Sequence, residues 1–116
     1  MAREKIALDP GLGFGKSPEG NLLLLGYLAA FRSLGFPIAV GASRKGFVRR
    51  FSGVGDDAPR EQRLAGSLAC LAAAVSSGAA IVRVHDVAES ARFLRMLHAI
   101  ETASAGSAQP AGAAAR

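Results

Sequence analysis

Three stretches of the chain end in loops crowded with groups that hold charge. They read IALDPGLGFGK (Ile6–Lys16), IAVGASRKGF (Ile38–Phe47) and AIVRVHDV (Ala80–Val87). Asp9 and Lys16 lie in the first loop, Ser43, Arg44 and Lys45 in the second, and Arg83 and His85 in the third. Lys and Arg head groups, a His and the N–H groups of a Gly-rich turn are the donors that bind phosphate-like anions. The expected ligand is a phosphorylated small molecule. Arg83 and His85 stand two apart on an extended run, so both face the same side.

For these loops to act together, something must bring them to one place. Each follows a short apolar run and precedes a helical pattern, the order of a βα unit. The first strand is expected over Lys5–Leu8, the second over Ile38–Val40 and the third over Ala79–Val84. Ser17-Pro18-Glu19 has the form of a helix start, with a Ser cap, Pro in the first turn and an early acid. Leu22, Leu25, Leu28, Ala29 and Phe31 then recur at helical spacing until Gly35. A short helix is expected over Gly46–Phe51, a loop over Ser52–Ala58 and a longer helix over Pro59–Ser77. The longer helix carries Leu64, Leu68, Leu71 and Val75 on one face. The last helix is expected over Ala88–Glu101, with Asp86 as its cap. Residues 1–101 form one domain, and Thr102–Arg116, rich in Ala, Gly and Ser, reads as a disordered tail. Three βα units in a row imply right-handed crossovers and a parallel sheet. Asp9, Lys16, Ser43, Arg44, Lys45, Arg83 and His85 then gather at the C-terminal ends of the strands, the edge where such folds bind ligands.

Composition narrows the alternatives. At 116 residues the chain holds one domain or part of one, and 50% hydrophobic content is enough to build a core. No apolar run is long enough to span a membrane, and the polar start leaves no room for a signal peptide. The single Cys70 forms no internal disulfide and fits a reducing, cytoplasmic setting. A net charge of +5 raises nucleic acid as a partner, but the Arg residues are spread over helices and only 6% of the chain is aromatic, too little for base stacking. Neither nucleic acid nor membrane is expected as a partner. Cys70, among Ala and Leu, reads as core packing, and His98 as a helix-surface residue.

The runs DPGLGFGKSPEGNLLLL, GASRKGFVRRF, RLAGSLACLAAAVSSGA and RVHDVAES, in this order, resemble the C-terminal portion of dihydropteroate synthase, from about Lys5 to Glu101. A lone Gly-rich loop would carry little weight; three motifs at suitable spacing are specific. The resemblance implies an α/β fold of three consecutive βα units, the last part of a (β/α)₈ barrel that needs about 250 residues in full. It also implies a transferase of folate synthesis, joining p-aminobenzoate to 7,8-dihydropterin-6-ylmethyl diphosphate and releasing diphosphate. The family uses Mg²⁺, held by an Asn in an earlier part of the barrel, and forms homodimers through its late helices.

Residue roles follow from the resemblance beside plainer ones. Asp9 is either an Asx-turn former or, as in the family, the acceptor for the amino-pyrimidine edge of the pterin. Gly13 permits a tight turn against a ligand. Phe14 is a staple onto the following helix or, as in the family, a wall of the p-aminobenzoate pocket. Lys16 is a solvated loop charge or a rim group. Ser43 is a helix N-cap or a neighbour of the p-aminobenzoate carboxylate, and Arg44 a structural ion pair. Lys45 contacts the pterin, with its stem along the ring. Arg83 and His85 take the diphosphate and stabilise the charge that develops on it, so Lys45, Arg83 and His85 form the expected catalytic set. Two readings stand: a transferase segment that works with the earlier part of the barrel, or a non-catalytic pterin- and anion-binding module.

Overall fold

A computed structural model describes residues 3–13, 15–42, 45–55 and 57–107. The chain forms two units, Met1–Asp86 and Val87–Arg116. The first holds helices α1 (Pro18–Gly26), α2 (Gly46–Ser52) and α3 (Arg60–Ser76) and strands β1 (Ala39–Val40) and β2 (Ile81–Val82). The second contains helix α4 (Val87–Ser107).

The centre of the first unit is the extended segment Ile38–Val40. On one side β1 pairs in parallel with β2, in the register Ala39 to Ile81 and Val40 to Val82. The N–H groups of Ala80 and Ile81 donate to Ile38 O, and that of Arg83 donates to Val40 O. On the other side, Leu8 N–H donates to Pro37 O and Ala39 N–H donates to Leu8 O, each at 2.8 Å. The parallel α/β arrangement is thus present, but the first strand is not. Arg3–Lys5 is a 3₁₀ turn, and Leu8 makes a single parallel bridge to Ile38. Pairing cannot run further, because Asp9 turns the chain and Pro10 has no N–H to donate. The third strand is likewise shorter than the expected Ala79–Val84.

The helices follow their sequence signals with two departures. Ser17 caps α1, its hydroxyl accepting from Gly20 N–H at 3.0 Å, and Pro18 occupies the first turn. The helix read as continuous to Gly35 breaks after Gly26 and resumes as 3₁₀ over Leu28–Leu34, ending at Gly35. Glycine is a poor helix residue, and the break falls on it. α2 begins directly after Lys45. α3 lies against both strands: Ser67, Cys70, Leu71 and Ala74 face Val40 and Val82 across a gap of only about 10 Å³. Leu71 and Ala74 are buried, whereas Leu64, Leu68 and Val75 are half-buried. The core joins Leu12, Leu25, Leu28, Ile38, Val40, Phe47, Val48 and Ala74, with Cys70 packed at its margin. Burial raises the Cys70 thiol pKa. In the second unit α4 continues through Thr102–Ser107, six residues beyond the expected end. Alanine favours the helix enough to carry it into the small-residue segment; residues 108–116 lie outside the described set. Among the described residues, no helix is long and apolar enough to cross a membrane.

One buried polar side chain ties the Gly-rich loop to this frame. Asn21 is buried on α1. Its Oδ1 accepts from Gly13 N–H at 2.8 Å and its Nδ2 donates to Ser17 O at 3.1 Å. Asn21→Ala takes the acceptor from Gly13 N–H, and leaving a part-buried donor without its partner costs about 1–3 kcal/mol. Denaturant melts of the two proteins should show that loss; equal midpoints would mean the loop does not depend on the clamp.

Candidate functional site

Asp9 follows the Leu8 bridge, Gly41 follows β1 and Arg83 follows β2, so three loops leave the same end of the parallel pairing. The carboxylate of Asp9 is engaged on both oxygens. Its Oδ1 accepts from Gly11 N–H at 2.8 Å, the bond of an Asx turn. Its Oδ2 pairs with Arg83 Nη1 at 2.6 Å. Burial alone would raise the pKa of Asp9; the Gly11 bond, the Arg83 guanidinium and the field of Lys45 outweigh it and hold the carboxyl below its ordinary value.

Long cationic side chains reach the site by crossing glycines. A Cβ on Gly13, whose φ is +84°, would stand 2.9 Å from Lys45 Cδ. The Lys45 stem therefore lies directly on the Gly-rich loop. A Cβ on Gly41 would meet Arg83 at 2.8 Å from Nη2 and 3.1 Å from Nε. Lys16 turns back to its own loop, with Nζ donating to Gly11 O at 2.8 Å. Gly41, Lys45, Arg83, Val84 and His85 line an open cleft of about 260 Å³.

The structure thus brings together Asp9, Gly13, Lys45, Arg83 and His85 from three loops. Lys16 stands in the Gly-rich loop, with its head group on the loop backbone. Phe14, Ser43 and Arg44 lie outside the described residues. Asp86, read as a helix cap, is buried and accepts from Arg60 Nε at 2.7 Å, which anchors the chain directly after His85. His98 is exposed on α4, with Nε2 3.5 Å from Thr102 Oγ1. Sequence reading missed Asn21 and Gly41. Asn21 had a signal, a lone amide beside four leucines; Gly41 had only its place at the end of a strand.

A cleft with two cations and a His along its wall suits an anion. It does not suit a divalent metal held by oxygen ligands. Among the described residues no three His, Cys, Asp or Glu side chains gather as a metal site, and the carboxylate beside the cleft is committed to Arg83. The described residues do not fit a Mg²⁺ site.

The sequence profile of the pterin binding enzymes matches residues 1–85. Dihydropteroate synthase of Escherichia coli (strain K12) is 44% identical over 99 residues, which is 85% of this chain and 34% of that protein. The crystal structure of dihydropteroate synthase from Stenotrophomonas maltophilia with active site-bound imidazole superposes with a TM-score of 0.79 at 41% identity, covering 86% of this chain and 37% of that one. Dihydropteroate synthase from Xanthomonas albilineans in complex with 7,8-dihydropteroate gives 0.77 at 39% identity, over 84% and 36%. The chain spans about a third of the length of the curated relatives it matches. With three loops converging as in a ligand site and a profile match over most of its length, the chain belongs to the pterin binding enzyme family.

Proposed function

We propose that the chain is the pterin- and diphosphate-holding part of a dihydropteroate synthase. The observation that carries this reading is the convergence of Asp9, Lys45, Arg83 and His85 from three loops at one end of the parallel pairing. The reaction it would serve breaks the C–O bond at the methylene carbon of 7,8-dihydropterin-6-ylmethyl diphosphate. The bonding electron pair leaves on the diphosphate. The amine nitrogen of p-aminobenzoate forms the new C–N bond and gives up a proton. Lys45, Arg83 and His85 would stabilise the charge that collects on the departing diphosphate. Asp9, kept ionised by its surroundings, would accept from the amino-pyrimidine edge, with Gly13 and Lys16 shaping the loop around it. Phe14 and Ser43 are assigned to the p-aminobenzoate side by the family likeness alone. Any Mg²⁺ would be held by residues outside this chain, so no step here is drawn through it. A module that binds the same ligands without turnover is the second reading. It is favoured by the cleft's lining of Lys45, Arg83 and His85, a set that suits holding an anion whether or not a reaction follows.

Fusing the chain to the earlier barrel segment of a relative and assaying condensation of p-aminobenzoate separates the two. The synthase reading expects turnover that falls roughly a hundredfold or more with Arg83→Ala or Lys45→Ala, on the scale of about 2–4 kcal/mol for one lost contact to a developing charge. Full rate in both variants would remove these residues from the mechanism; binding without turnover would favour the module.

The charge state of Asp9 also fixes a pH dependence. A carboxyl depressed in the folded state contributes stability that is present above its ordinary pKa and lost as pH falls through the lowered one. Asp9 is about a third exposed, with a side-chain exposure of 33%, and Arg83 shows 55%. Solvent screening therefore limits the pair to about 0.5–1 kcal/mol. Asp9→Asn should lower stability by that amount at neutral pH, with the difference vanishing in strong acid. A difference that persists unchanged into acid would show that the loss is packing and not charge.

Self-association belongs to the same reading, through α4. Met96 and Ile100 on that helix are 62% and 53% exposed. Sedimentation at micromolar concentration is expected to show a dimer that Met96→Lys weakens; a monomer at every concentration would exclude it.

A further inference from the structure

We propose that Gly41 is a positioning residue: its missing Cβ makes the seat on which the Arg83 guanidinium lies, and this seat fixes where that charge points. The inference rests on the reading of the cleft as an anion site, and it adds a residue that touches no substrate.

The geometry is specific. Three atoms of one planar group, Nη2, Nε and Cζ, stand at 2.8, 3.1 and 3.2 Å from where a Gly41 Cβ would be. Ordinary van der Waals contact to a Cβ begins near 3.4 Å. All three distances fall short, so the guanidinium lies on the backbone at Gly41 and does not merely graze it. Gly41 is itself buried and follows directly on β1. Arg83 follows β2, and its N–H still donates to Val40 O at 2.9 Å. The two backbones are therefore held side by side, and the Arg83 side chain crosses the neighbouring one at Gly41. That path ends at Asp9 Oδ2, 2.6 Å from Nη1, and borders the cleft that Lys45 and His85 share. A methyl group at position 41 would lift the guanidinium. The far end of a flexible side chain yields more readily than the paired strands, so Arg83 would move and the fold would stay.

Asp9 reports on this directly. The charged groups near its carboxylate are Arg83 and Lys45, with the Gly11 N–H beside them. Of these, only Arg83 crosses Gly41. Displacing Arg83 removes a charge that favours the ionised form, so the Asp9 titration must move to higher pH.

The test uses the 116-residue chain with ¹³C NMR titration of the Asp9 carboxyl, assigned by its loss in Asp9→Asn. Gly41→Ala is expected to raise the Asp9 midpoint to the value it has in Arg83→Ala. In the Gly41→Ala/Arg83→Ala double variant no further shift is expected, because the alanine then has no guanidinium to displace. Affinity for inorganic diphosphate should fall about tenfold in Gly41→Ala, as expected for a charge-assisted bond put out of line. An Asp9 midpoint unmoved by Gly41→Ala, an equal shift in the Arg83→Ala background, or equal diphosphate affinity in the two proteins would each overturn the proposal. The unsubstituted chain offers a check that needs no folded variant: nuclear Overhauser contacts between the Gly41 Hα protons and Arg83 Hε, whose absence would also overturn it. If diphosphate bound to no form of the chain while the Asp9 titration moved as expected, the seat would stand and the anion reading of the cleft would fall.

Discussion

The backbone bonds of Ile38–Val40 hold the molecule's chemistry in one place. That segment is bonded on both sides: Ala39 N–H donates to Leu8 O on one, and Ile38 O and Val40 O accept from Ala80, Ile81 and Arg83 on the other. Because both pairings are parallel, the chain leaves each of the three segments at the same end. Asp9, Gly41 and Arg83 are neighbours for that reason and no other. They lie 32 and 42 residues apart along the chain, as counted from their numbers. Antiparallel pairing at either side would send one of the three loops to the opposite end.

Bringing cations together has an electrostatic cost, and the site contains what offsets it. Lys45 and Arg83 border one cleft, and the carboxylate of Asp9 stands against Arg83 as an internal counter-charge. Close approach also needs room. Gly13 and Gly41 supply it, since each lets a long side chain cross the backbone within van der Waals distance. Buried Asn21 and buried Asp86 then fix the loops from behind, one through Gly13 and the other through Arg60. Acidic and amide groups therefore face inward or sideways, and the positive charge faces the cleft.

Much of this could be read from the residues. The Ser17-Pro18 start, the helix after Lys45 and the long helix before Gly78 were legible because their signals are local: a cap, a proline, a repeat of leucines. The strands were harder. Lys5–Leu8 looks like a strand in composition, yet it lies at the margin of the pairing with one neighbour, and Pro10 stops the ladder after a single bridge. Ile81 is 48% exposed, and β2 has no strand on its other side among the described residues. The site residues were legible as a set, but their partners were not. Asp9 and Arg83 announce charge; that they meet each other is a fact of the fold. Gly41 was invisible because its role is defined by a side chain 42 positions away.

The placement of Cys70 has a consequence of its own. The chain has one thiol, and it sits on the face of α3 that covers Val40 and Val82, where burial disfavours the thiolate. The thiol is only partly covered, so a thiol reagent reaches it in the folded protein, slowed by the burial that favours the unreactive thiol form. The rate at which Cys70 is consumed therefore gauges how closely α3 lies on the strands. Looser packing speeds the reaction and tighter packing slows it, in the unaltered protein and without a probe added to the layer behind the cleft.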